Sequence, residues 1–240
     1  MTVRFFLPSL LVFLFGCTDE SQHNVSATVV DAVAHGNNIT ADASSTSAVN
    51  LKDIFLLLPD DVFPLEAIST AKRKQLLKHI GEDSAFDISP TPIDIYDVKN
   101  GYLNLTGMQF GWEMSYWNLQ DGRKLVAINN GTESGSEIRV FFYQKGMLTE
   151  DPNYQLGGQQ NYNLSDFIDI AQLSPENRKF ALQQFTKGAY HLYYQLPQKG
   201  TSLKVSLDAD RLLGYAEVDG IPDEAIKYVT LKWNNEKWER

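Results

Sequence analysis

The sequence predicts an α+β fold of antiparallel β-meander sheets with short helix pairs packed on one face. Two patterns carry that expectation. Strand-length apolar segments follow one another across tight turns, notably Asn100-Gly101 and Asp121-Gly122, dipeptides that favour short hairpin loops because both tolerate positive φ. Short segments with helix-type spacing and capping residues precede each run of strands. Helix pair, glycine, then strands occurs twice, around Asn50-Leu51-Lys52-Asp53 and Asn163-Leu164-Ser165-Asp166. This order fits either two tandem halves, 50–148 and 163–240, or a common helix–helix–meander succession with a shared tetrapeptide arising by chance.

Taken in order, Asn50 is an N-cap with Asp53 at the third position, the pattern of a capping box. Leu51, Ile54, Phe55 and Leu58 then share a face until Pro59. A second helix is expected from Ser69 or Thr70 with Leu76, Leu77 and Ile80 inward, Lys78 and His79 at its negative end and Gly81 past its stop. Strands are expected over Ile93–Lys99, Tyr102–Thr106, Gln109–Leu119, Arg123–Asn129 and Glu137–Gln144, which end at Lys145-Gly146. Residues 149–162 read as a connection. Asn163 opens a short helix with Phe167, Ile168 and Ala171, and Ser174-Pro175-Glu176 caps another that runs to about Lys187, with Pro where helices accept it best. The closing strands are Ala189–Leu196, one with Leu203, Val205 and Leu207 inward and Lys204, Ser206 and Asp208 outward, Gly214–Val218, and Lys227–Trp233, whose Val229, Leu231 and Trp233 form the buried side.

Ahead of this globular part, 50–240, the chain has the layout of a lipoprotein signal over residues 1–16. Arg4 supplies a short basic region and Phe5–Phe15 an apolar core, too short for the roughly 20 residues that span a bilayer. Leu14-Phe15-Gly16-Cys17 reads as a lipobox. Cleavage before Cys17 would leave diacylglycerol on its thiol and an acyl chain, palmitate for example, on its new amine. Phe15 is bulky for that motif; an ordinary signal peptide containing a cysteine is the alternative. Residues 17–49 are then the lipidated cysteine and a disordered tether, rich in Ser, Thr, Ala and Asn, with a span of ~30 Å. Thr18, rather than Asp, follows the cysteine, which points to the outer membrane. Whether the domain faces the periplasm or the cell surface is open at this stage.

Composition excludes several function classes. The formal charge is −9, and removal of Arg4 with the signal takes it to −10. Such an acidic chain does not suit nucleic acid, which needs clustered cations, and its membrane contact would rest on the lipid alone. Cys17 is the single cysteine, so its acylation leaves no thiol for a disulfide, nucleophile or metal cluster. His23 and His35 fall in the tether, His79 at a helix end, and His191 stands on a strand with no second ligand at metal-binding spacing. No metal or cofactor is expected. Ser69-Thr70-Ala71-Lys72 matches the Ser-x-x-Lys pattern of penicillin-recognising enzymes, but Ser165-Asp166-Phe167 and Lys199-Gly200-Thr201 do not supply the companion motifs, and a helix cap explains the match. Gly131-Thr132-Glu133-Ser134-Gly135 has its serine one place late for a nucleophile elbow and reads as a hairpin loop. Asp208 and Asp210 lack the partners of a calcium loop.

Aromatic residues are the remaining signal. Phe110, Trp112, Tyr116 and Trp117 crowd one strand, Phe141, Phe142 and Tyr143 another, and Tyr190, Tyr193 and Tyr194 a third. Alternation puts Trp112, Met114 and Tyr116 on one side and Glu113, Ser115 and Trp117 on the other. If helices cover one side, the second is either packed or exposed for stacking on a sugar or a protein. Trp117, Tyr193 and His191 are the candidate partner-binding residues.

Leu58-Pro59 with Phe63-Pro64, the Arg73–Leu77 helix, Ile138–Tyr143, and Leu231-x-Trp233 followed by Lys237 resemble a family of uncharacterised secreted and lipid-anchored proteins of the Bacteroidota, over about residues 51–240. The resemblance implies an envelope location and no known activity. The tandem layout also looks like that of the β-lactamase-inhibitor proteins in architecture alone, which carries no function. The expectation is a non-enzymatic lipid-anchored envelope protein that binds a protein or polysaccharide through its sheet face. The alternative is a small envelope hydrolase acting on peptidoglycan or glycan, with His191, Glu113 and Ser115 converging across strands.

Overall fold

The computed structural model describes residues 50–63, 67–107, 111–158, 160–213 and 221–240. Cys17, the tether and the strand expected over Gly214–Val218 lie outside the described residues, as do Pro64, Gln109 and Phe110. Among the described residues, ten strands form two antiparallel sheets, accompanied by short helices. The fold is α+β.

The first sheet is a simple six-stranded meander, β1 (Ile93–Asp97), β2 (Tyr102–Leu105), β3 (Trp112–Asn118), β4 (Lys124–Thr132), β5 (Gly135–Gln144) and β6 (Met147–Glu150). The expected hairpins are present, but with longer loops: Asp97 pairs with Tyr102 and Asn118 with Lys124, and Asn100 and Asp121 do not take positive φ. Gly101 and Gly122 both hold positive φ, and Asp97 accepts from the backbone and side-chain nitrogens of Asn100. β6 falls where a connection was expected. Lys145-Gly146, both at positive φ, make a two-residue turn that pairs Gln144 with Met147. Met-Leu-Thr-Glu is a short, mostly exposed edge strand without an apolar side, so its pattern did not show it.

One face of this sheet carries helices. Helix α1 (Leu51–Leu57) starts at the expected capping box, with Asp53 N donating to Asn50 Oδ1 at 3.1 Å and Asn50 N to Asp53 Oδ2 at 3.4 Å. It stops at Leu58, which the following proline forces into an extended conformation. Helix α2 (Thr70–Leu76) is capped by Ser69, whose Oγ accepts from Lys72 N at 3.3 Å; the Ser-x-x-Lys pattern is thus a helix cap. α2 ends a turn earlier than expected, with Lys78 and His79 beyond it in tight turns. Helix α3 (Ala85–Ile88) follows. Leu51, Ile54, Phe55, Leu76 and Ala85 pack with Leu103, Trp112, Met114, Val126, Ile128 and Phe141 of the sheet. Burying each such side chain stabilises the fold by about 1.5–3 kcal/mol.

After β6, the Asn163-Leu164-Ser165-Asp166 segment forms a 3-10 turn instead of an α-helix, with Asn163 N donating to Asp166 Oδ2 at 2.7 Å. Helix α4 (Pro175–Thr186) starts on Ser174 with proline at its first turn and ends just before Gly188. The second sheet has the order β10-β9-β8-β7, from β7 (Leu192–Gln195), β8 (Leu203–Leu207), β9 (Val229–Asn234) and β10 (Lys237–Glu239), with helix α5 (Ala209–Leu212) after β8. β10 was not expected; Asn235 and Glu236 both take positive φ to form its hairpin turn. The inward set Leu203, Val205, Leu207, Val229 and Leu231 is buried as alternation required. It shares one core cluster with Tyr102, Trp117, Leu125, Ala127 and Val140, the face of the first sheet opposite the helices. The first sheet is therefore covered by helices on one side and by the second sheet on the other.

Candidate functional site

The second sheet turns its polar side outward. Pairing sets Tyr193 opposite Ser206 and Gln195 opposite Lys204 on β7 and β8, while Lys204 faces Thr230 and Val205 faces Val229 across to β9. Continuing that register brings Tyr228 opposite Ser206. Tyr193, Ser206 and Tyr228 therefore make one row across three strands, and Gln195, Lys204 and Thr230 the next. Tyr228 is 59 % exposed, and the Lys204 ammonium lies 5.0 Å over its ring centroid.

The far edge of β7 is held by the β4–β5 hairpin. Tyr194 N donates to Ser136 Oγ at 2.8 Å, Tyr193 Oη to Thr132 O at 3.1 Å, and Asn129 Nδ2 to Tyr194 O at 2.6 Å. Gly135, at φ +105°, lets the hairpin close on β7; a Cβ there would stand 2.7 Å from Leu192 O. Between hairpin and outer face lies a cleft of about 340 Å³, with Asn129 and Ser136 on one wall and Tyr193, Lys204, Ser206 and Tyr228 on the other.

Behind the hairpin wall sits a buried carboxylate. Glu113, 8 % exposed, accepts from Leu196 N at 2.6 Å and Asn129 Nδ2 at 2.9 Å through Oε1, and from Tyr102 Oη at 2.9 Å through Oε2. Burial pushes its carboxyl above the ordinary range, against the three donors that favour the ionised form. Burial, with the neighbouring Glu113, pushes the Tyr102 hydroxyl up as well. Asn129 spends its Nδ2 on both Glu113 and Tyr194, which fixes the amide orientation. Its Oδ1 is buried with no partner among the described residues.

The structure places the sequence-predicted residues unequally. Tyr193 lines the cleft. His191 lies beside it at the start of β7, and its Nδ1 donates to the Ser134 carbonyl at 2.7 Å; among the described residues no carboxylate orients the ring. Trp117 is only 3 % exposed, so of the two alternatives for its side of β3 the packed one holds, and Trp117 drops out of the candidate partner-binding residues. It stacks on Trp233 at 6.1 Å and meets Trp238 edge-on at 5.0 Å between ring centroids. The physical reason is the second sheet, which covers the side of β3 that alternation showed but could not assign. Ser115 Oγ donates to Pro197 O at 3.3 Å. His191, Glu113 and Ser115 thus have three separate sets of partners and form no hydrogen-bonded constellation.

Sequence reading missed Asn129, Ser136, Lys204, Ser206 and Tyr228 as neighbours of Tyr193. The outward position of Lys204 and Ser206 was legible from alternation; the pairing of β7 and β9 with β8 was not. Among the described residues, no group of three histidine, cysteine or acidic side chains stands close enough to hold a metal ion, and no helix is long and apolar enough to cross a membrane. Compared with protein-family models, with curated proteins and with solved structures, the chain matches none.

Proposed function

We propose that this is a non-enzymatic lipoprotein of the cell envelope, held at the outer membrane by acylation of Cys17, whose second sheet binds an envelope partner at the cleft beside Tyr193. The observation that carries the binding reading is the Tyr193–Ser206–Tyr228 row, two rings flanking a small residue on a solvent-facing sheet. Rings presented in this way offer flat apolar area with a polar tip, the combination used to stack on sugars and peptide groups. The lipobox sequence Leu14-Phe15-Gly16-Cys17 supports the anchor, and the resemblance to lipid-anchored proteins of the Bacteroidota agrees with it.

Two measurements test the parts separately. Radiolabelled palmitate should enter the wild type in cells and not Cys17→Ser; an unlabelled wild type overturns the anchor. For the binding face, wild type and Tyr228→Ala are compared for retention on isolated cell-envelope polysaccharide. Tyr228 is exposed, so its loss leaves the fold intact and should reduce retention about fivefold or more, the scale of one stacking contact. Equal retention of both proteins would remove the cleft as the binding site.

A further inference from the structure

We propose, resting on the binding reading above, that the cleft takes a sugar residue carrying a carboxylate. Three features of its walls select that chemistry. Tyr193 and Tyr228 stand two strand spacings apart, about 10 Å, with Ser206 between them, a slot bounded by ring surfaces. The cleft volume of about 340 Å³ lies at the small end of ligand sites, which run from about 300 to 1,000 Å³. One substituted pyranose suits that size.

The second feature is charge. Lys204 is exposed, its ammonium rests against the Tyr228 ring, and it makes no ion pair among the described residues. In a chain of net charge −9, a cation held over an aromatic ring at a cleft and left without a carboxylate is a place where an incoming anion is attracted instead of repelled. The third is hydrogen-bonding capacity. Ser136 Oγ accepts from Tyr194 N, which leaves its own hydrogen for a ligand oxygen. Donor, cation and ring faces together match a sugar acid. A neutral sugar would leave Lys204 unused.

The test uses the full-length protein in detergent and the pair N-acetylmuramic acid and N-acetylglucosamine, which differ by the lactyl carboxylate. Ligand-observed NMR or calorimetry should show the acidic sugar binding about fivefold or more tightly, the size of one partly solvated ionic contact. Lys204→Met should abolish that preference, and Tyr228→Ala should weaken the binding of both sugars. Thermal melts of the two variants should match the wild type, since both side chains are exposed. Equal affinity for the two sugars overturns the carboxylate assignment and leaves the cleft as a binding site. Absence of binding by either sugar at about 10 mM overturns this inference. Polysaccharide retention that still depends on Tyr228 would then preserve the broader reading, and loss of that dependence would end both.

Discussion

Glu113 shows how one side chain can join two sheets at a cost. It sits on β3, yet its strongest contact is with Leu196 N just past β7, so the carboxyl spans the inter-sheet layer. Burial raises its pKa, and folding therefore favours the protonated form. The stability tied to this group is full below the unfolded carboxyl value of about 4.3 and is lost as pH rises through the raised folded value. Glu113→Gln keeps an acceptor for Leu196 N and Asn129 Nδ2 and offers an amide hydrogen to the Tyr102 oxygen. Its stability relative to wild type should rise between about pH 4 and about pH 7, measured by urea denaturation at the two values. A constant difference between the proteins would show that Glu113 does not titrate as its burial requires. Glu113→Ala leaves three donors without their acceptor and should cost about 3 kcal/mol or more at either pH.

At the scale of elements, a buried cation organises the helical layer. Arg73 on α2 is 1 % exposed and reaches back to the end of α1, donating to Leu56 O and Pro59 O, each at 3.4 Å, and to Thr70 Oγ1 at 2.9 Å. Its guanidinium also lies 3.1 Å from Asp60 and 5.3 Å over the Phe63 ring. Asp60 is half exposed, so the ion pair contributes little and the carbonyl caps and packing contribute most. Arg73→Ala should cost about 2–3 kcal/mol and Asp60→Asn under about 1 kcal/mol, compared by thermal melts. Similar losses from both would shift the weight to the ion pair. Arg73 was read in the sequence only as a helix residue, because nothing local says that a cation turns inward. The capping box at Asn50, the hairpins at Asn100-Gly101 and Asp121-Gly122 and the inward set of β8 were legible, since each depends on residues a few positions apart. β6 and β10 were not, because three or four mostly polar residues form a strand only when a neighbour is already in place. The cleft was half legible for the same reason: Tyr193 was singled out, but its neighbours come from hairpin and strand pairings up to about sixty residues away.

For the whole molecule, the decisive fact is that neither sheet completes its core alone. The face of the first sheet with Tyr102, Trp117, Leu125, Ala127 and Val140 is buried against the second sheet, and that face carries Glu113, Ser115 and Asn129 as well. Trp117 and Trp238 both donate their indole N–H to the Thr201 carbonyl at 3.3 Å, and Trp233 packs on Trp238 at 4.2 Å between ring centroids. The last strand of the chain is thus locked onto the third strand of the first sheet. Separating the sheets would expose this aromatic layer together with the Glu113 network, so partial unfolding should be unfavourable and residues 50–240 should unfold as one cooperative unit. Trp112 and Trp117 report on the first sheet and Trp233 and Trp238 on the second. Tryptophan fluorescence and far-ultraviolet circular dichroism should therefore give coincident urea transitions. Trp238→Ala removes the side chain that bridges the layers and should cost about 3–5 kcal/mol, with both probes moving together to a lower midpoint. If fluorescence instead changed first while most of the sheet signal remained, the second sheet would be an independently melting layer, and the cleft at its junction with the β4–β5 hairpin could not be a stable site.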